Sequence, residues 1–211
     1  MPRWLLAGGL LFALVLGSLL VSSLSRPTPS TFLPTPPAPS AAGDSLIWDR
    51  LYTIDARDAQ RWVFFDFSRS SVVVDPGPLQ WDLAVRRFHL ITNGGPSFPG
   101  GGGVIEMPGV DLDSLTEAPR GEYVETAGSF DSNAANPVLD RWYRYGYVSH
   151  LLEPRPRTYV FRTADGRYAK LKILSYYCPG AVPGCLTFRY TYQGAGGRRL
   201  TRAAPPPESS G

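Results

Sequence analysis

The chain has 211 residues with a formal net charge of +3, and 43% of its residues are hydrophobic and 12% aromatic. That length can bury one sizeable core without requiring two domains, and arginines scattered among acids give no electrostatic reason to expect a nucleic-acid partner. No nucleophile elbow, metal-binding histidine pair or zinc spacing is present, so the expectation is a non-catalytic protein.

The N-terminus sets the compartment. Arg3 is followed by an apolar run over residues 4–21 that continues to Leu24 and is closed by Arg26. The run is nearer the length of a spanning helix than of a cleavable signal, although Val21-Ser22-Ser23 suits a signal peptidase. Residues 1–26 are therefore expected to be a transmembrane signal anchor or a removed signal peptide, with Arg3 inside and the rest exported. No cysteine follows the run to carry a lipoprotein anchor. Residues 27–42 hold prolines at 27, 29, 34, 36, 37 and 39, which predicts an extended, disordered linker. Residues 194–211, rich in Gly, Arg, Pro and Ser, read as a disordered tail. The folded domain is expected over 43–193.

Within it, aromatic and β-branched residues dominate and Gly or Pro recurs at short intervals, so the expectation is an all-β domain of packed antiparallel sheets. Residues 48–55 and 62–67 (WVFFDF) read as a hairpin pair, followed by a strand at 72–74 that Asp75-Pro76-Gly77-Pro78 breaks. Residues 81–92 read as one long central strand, with Trp81, Leu83, Val85, Arg87 and His89 on one face. The glycine-rich stretch 94–103 reads as a flexible loop or as a loop over a site. No helix follows it, so it is not a phosphate cradle. Helical turns are expected at 111–117 and 136–140, then an aromatic strand from Arg141 to His150 that Pro154 and Pro156 end. Residues 158–163 and 168–178 flank the turn Ala164-Asp165-Gly166. In 185–192 Leu186, Phe188, Tyr190 and Tyr192 face a core, and the alternate residues face water. Cys178 and Cys185 flank Pro-Gly-Ala-Val-Pro-Gly, and in an oxidising compartment they should bond across a hairpin.

The order and spacing of YTIDARDAQRWVFFDF, WDLAVRRFHLITNGG, YVFRTADGRYAKLKILSYY and LTFRYTYQ resemble the HmuY family of bacterial haem-binding proteins. The resemblance covers nearly the whole domain. It implies a β fold in the cell envelope or on its surface, with haem as ligand and an outer-membrane uptake receptor or a host haem protein as partner. It does not transfer a ligand pair residue by residue. The alternative is an HmuY-like surface interaction module that does not bind haem.

Haem outside the cell needs one or two axial donors, an apolar face and cations near the propionates. The chain has two histidines. His89, where the long strand meets the glycine loop, is the first candidate ligand, and His150 is the second. Either is equally an ordinary half-buried histidine. Met107 is a softer candidate, or a gap-filler in the core. Trp142, Tyr143 and Tyr145 are candidate pocket residues, or sheet packing. Arg86, Arg87 and Arg144 could hold propionates, or be solvated. No metal other than haem iron is expected.

Overall fold

The computed structural model describes residues 2–24 and 27–201. Helix α1 (Arg3–Leu24) comes first. Among the described residues no helix is long and apolar enough to cross a membrane, so the expected transmembrane anchor finds no support. Arg26, its expected flank, and tail residues 202–211 lie outside the described residues.

The domain is built from strands β1 (Leu46–Asp55), β2 (Val63–Asp66), β3 (Ser71–Val73), β4 (Leu83–Arg86), β5 (His89–Thr92), β6 (Gly103–Pro108), β7 (Ala127–Ser129), β8 (Ser132–Ala135), β9 (Tyr143–Tyr145), β10 (Leu152–Pro154), β11 (Arg157–Arg162), β12 (Tyr168–Cys178) and β13 (Val182–Gln193). A five-stranded sheet runs β1-β13-β12-β11-β6 and a four-stranded sheet runs β3-β2-β4-β5, with β7–β8 and β9–β10 as separate hairpins. All named pairs are antiparallel, as expected. The core is the seam between the two larger sheets. Phe65 meets Phe188 edge-on at 5.2 Å, and Phe67 packs on Tyr190 at 5.3 Å and on Phe161 at 5.4 Å. Such offset aromatic pairs add about 0.5–1.5 kcal/mol each beyond burial.

Several sequence expectations are corrected. β1 does not pair with β2. Its ten residues run beside β13, with Tyr52 opposite Phe188 and Ile54 opposite Leu186, because the four-residue β2 is too short for it and is already flanked by β3 and β4. The expected long strand over 81–92 is a hairpin, with Arg86 opposite His89. Arg87 turns the chain at φ +54°, and neither Arg87 nor Phe88 is a residue type that announces a tight turn. β4 is central as expected, whereas β5 is an edge.

The proline-rich segment is extended but lies on the domain. Phe32 N–H donates to Tyr177 O (3.0 Å), Thr35 N–H to Thr53 O (2.9 Å), Ala38 N–H to Ser71 Oγ (2.9 Å) and Ser40 N–H to Arg69 O (3.2 Å). Prolines lack a donor, so the residues between them make these bonds. The segment closes the free edge of β1, where Thr35 Oγ1 accepts from Thr53 N–H (3.1 Å), and reaches the edge strand β3 through Ser71; beside it Thr53 and Thr187 share a 3.0 Å hydroxyl bond. Thr187 and Thr191 are accordingly buried, not wet. The tail also folds back as far as it is described. Leu200 is buried and its N–H donates to Thr116 O (2.8 Å), while the Arg198 guanidinium lies 4.7 Å over the Tyr168 ring.

The glycine stretch is neither a flexible loop nor a cover over a site. A Cβ on Gly94 would fall 1.7 Å from Gly102 O, and one on Gly95, at φ +121°, would fall 2.0 Å from Thr126 O. Here the missing side chains let backbone approach backbone. Asn93 ties the stretch down through Pro78 O (2.9 Å), Trp81 O (3.0 Å) and Gly100 N–H (3.2 Å). Cys178 and Cys185 are bonded, with Cα atoms 4.9 Å apart.

Candidate functional site

The β4–β5 turn and the β9–β10 hairpin are held side by side by one buried residue. Trp142, fully buried, donates Nε1–H to Phe88 O at 2.8 Å, and its ring packs on Tyr176 at 5.6 Å. A large apolar ring with one polar atom fills the seam and satisfies a turn carbonyl together. On the other side, Leu152 N–H donates to the Tyr177 hydroxyl at 2.7 Å and fixes β10 to β12.

A line of aromatic side chains follows. His89, exposed, lies with its ring 4.3 Å from that of Phe88, and Phe88 meets Tyr143 at 6.0 Å. Tyr143 and Tyr145 are two apart on β9 and share a face. Tyr145 then meets Tyr147 at 5.3 Å and His150 at 6.0 Å. Much of this surface is exposed: Phe88 37%, Tyr145 40%, Tyr147 85% and the neighbouring Val148 67%. Contiguous apolar surface of this kind marks interaction or ligand sites.

The β9–β10 turn is closed by Gly146 N–H to Leu151 O (2.9 Å) and His150 N–H to Gly146 O (2.7 Å). His150 adopts φ +57°, and its Nδ1 lies 2.6 Å from the Tyr145 hydroxyl oxygen. Beside His89, burial pushes the Asp140 carboxyl upward, and the His89 charge partly offsets this.

The structure brings His89, Tyr143, Tyr145 and His150 to one edge of the molecule. It does not bring the other candidates there. Trp142 lies under the face rather than on it. Met107 packs in a separate cluster with Ala118, Tyr123, Val160 and Leu200, on β6, which is covered by the tail. The Arg86 guanidinium sits 4.5 Å over Trp62, and Arg87 donates to Arg57 O at 3.1 Å. Arg144 alternates with Tyr143 and Tyr145, so it emerges on the opposite face of β9, paired with Glu153 at 3.0 Å. Phe88 was not singled out from the sequence. Strand parity over 81–92 placed Phe88 away from His89, and only the turn at Arg87 puts the two rings in contact.

Among the described residues no group of three or more His, Cys, Asp and Glu could hold a metal ion. Haem iron asks for a different donor set, one or two axial ligands beside a flat apolar surface. Imidazole and phenol on an aromatic edge fit that requirement.

The family model for the HmuY protein matches residues 58–190, which include both hairpins. Among solved structures, an apo HmuY analogue from Tannerella forsythia superposes with a TM-score of 0.57 at 18% identity, covering 73% of this chain and 99% of that one. A candidate HmuY-like haem-binding protein from Bacteroides vulgatus gives 0.54 at 24% identity, covering 75% and 97%. A candidate lipoprotein from Bacteroides fragilis gives 0.57 at 18%, covering 82% and 98%. These likenesses concern the fold. No curated protein matches the chain.

Proposed function

Because the chain belongs to the HmuY family, we propose that it is an extracytoplasmic, non-catalytic haem-binding protein that holds haem on the edge formed by the β4–β5 and β9–β10 hairpins. The observation that carries this reading is the pair of exposed imidazoles, His89 beside Phe88 and Tyr143 and His150 beside Tyr145, with Tyr143 and Tyr145 on one face of β9 between them. Haem supplies an iron centre that takes axial donors and a macrocycle that stacks on apolar rings. The chain supplies the rest. Phe88, Tyr143, Tyr145 and Tyr147 offer ring faces and edges that exclude water. Trp142 holds the two hairpins in register through the Phe88 carbonyl. His89 and His150 are the candidate donors.

Export fits the Cys178–Cys185 disulfide, since such bonds persist outside the reducing cytoplasm. A carrier in that place would receive haem from a host or environmental haem protein and pass it to an uptake receptor. A second reading, a surface interaction module without haem, draws on the orientation of Arg86, Arg87 and Arg144, which leaves none of these cations for propionates.

Titration of the purified chain with haemin decides between them. Binding gives a saturable shift of the Soret band, and His89→Ala alters both the band position and the affinity. If the wild type shifts and His89→Ala leaves the spectrum unchanged, His89 is not a donor. If the wild type gives no shift, the interaction-module reading replaces haem binding.

A further inference from the structure

We infer that Tyr145 and His150 act as one unit toward ferric haem, with the Tyr145 phenol oxygen as the axial donor and His150 Nδ1 as the acceptor of its proton. This rests on the haem-binding proposal and changes the residue that the β9–β10 hairpin contributes to it.

The geometry points this way for three reasons. First, the Tyr145 oxygen and His150 Nδ1 are 2.6 Å apart, at the short end of hydrogen-bond distances. Nδ1 is thus already committed, and the imidazole is a base in place next to the phenol. Second, Tyr145 is 40% exposed and on the same strand face as Tyr143, which meets Phe88. Its ring therefore belongs to the aromatic surface where a macrocycle would lie, and its oxygen is met by His150 from the turn that follows β9. Third, a neutral phenol is a poor ligand and a phenolate is a good one for ferric iron, the form expected in the oxidising compartment that the disulfide indicates. A phenol needs a base within hydrogen-bond reach to become that ligand, in the way that a nucleophile needs its neighbouring base. The step balances without a redox partner: the O–H bond breaks, the proton passes to Nδ1, and the phenolate oxygen bonds to iron(III), whose charge state does not change. The turn bonds Gly146 N–H to Leu151 O and His150 N–H to Gly146 O, together with φ +57° at His150, aim the imidazole back at Tyr145. His150 is a positioning residue in this scheme.

The test uses the full chain with haemin, read by electronic absorption and resonance Raman, with circular dichroism to confirm that each variant folds. The wild-type complex should show phenolate-to-iron(III) charge transfer and phenolate modes. Tyr145→Phe should abolish both. His150→Ala should retain them but weaken binding about 10–100-fold, the usual effect of losing a partner that supports a metal ligand, and His150→Gln, which keeps an acceptor, should recover part of that loss. A wild-type complex without phenolate modes, whose imidazole-type spectrum survives Tyr145→Phe and is lost in His150→Ala, makes His150 the ligand and overturns the inference while leaving haem binding intact. A wild type that gives no Soret shift overturns the haem-binding proposal and the inference with it.

Discussion

Asp82 is buried where the four-stranded sheet meets the turn after β11. One carboxylate oxygen accepts from Phe67 N–H at 3.0 Å and the other from Ala164 N–H at 2.8 Å, so one side chain joins the two sheets. Burial first, and the nearby Asp66 charge second, push its carboxyl up to about 8, against the two backbone bonds that favour the anion. The folded value lies above the unfolded one, so the folded state holds a proton that the unfolded chain releases. Stability from this group is complete below pH ~4 and declines as pH rises through about 8. Thermal melts from pH 4 to 8 should show that decline in the wild type. Asp82→Asn should cost about 1–3 kcal/mol, because one backbone N–H loses its acceptor, and should flatten the profile. An equally steep decline in the variant would assign the effect to other groups. The sequence placed Asp82 in one long central strand, and neither its burial nor its bonds to Phe67 and Ala164 could be read there.

At the scale of elements, β12 and β13 form the longest ladder, and the disulfide closes the turn between them. The chain-entropy cost of so short a loop bounds the stabilisation at about 2–3 kcal/mol. Replacing both cysteines by alanine should lower the unfolding free energy by about that amount and leave the aromatic edge in place. A loss above about 5 kcal/mol, read from denaturant melts, would mean that the bond organises more than its own hairpin. This hairpin was legible because both of its signals are local, the alternation in 185–192 and two cysteines spanning Pro and Gly. The β4–β5 hairpin lacked any local signal, since its turn uses Arg87 and Phe88. Its stability comes from Trp142 Nε1–H reaching the Phe88 carbonyl and from Arg87 N–H reaching Ala56 O at 3.0 Å, partners distant in sequence.

At the scale of the whole molecule, segments from both ends of the chain pack against the five-stranded sheet, one at its edge and one on its outer face. Residues 31–40 run along the free edge of β1 and on to Arg69 and Ser71 beside β3, and the described part of the tail, through Leu200, packs with 115–118 on the outer face near β6 and β12. Lys170, buried on this face, donates to Leu112 O and Leu115 O, each at 2.8 Å, and sits 5.1 Å from the Trp48 ring. Backbone amides of Phe32, Thr35, Ala38 and Ser40 should therefore exchange more slowly with deuterium than an unstructured proline-rich peptide does. Exchange at the unprotected rate would restore the free-linker expectation.

Sequence by itself determined the class of this protein: β strands from period-two alternation, the disulfide from two cysteines around a turn, and the family from motifs kept in order over most of the domain. It also picked out both histidines and the tyrosines of β9, because these residue types are rare or regularly spaced in the chain. Tertiary structure alone decided which strands pair, that Arg87 reverses the chain, that the glycine stretch packs on itself and that the proline-rich segment lies along the edge of the sheet. It alone turned Arg86, Arg87, Arg144 and Met107 away from the aromatic edge and set Tyr145 against His150. The physical reason is common to all of these. Alternation and turn chemistry act between near neighbours along the chain, whereas pairing, burial and side-chain direction depend on contacts closed by residues far apart in sequence, such as Asp82 with Ala164 and Phe88 with Trp142.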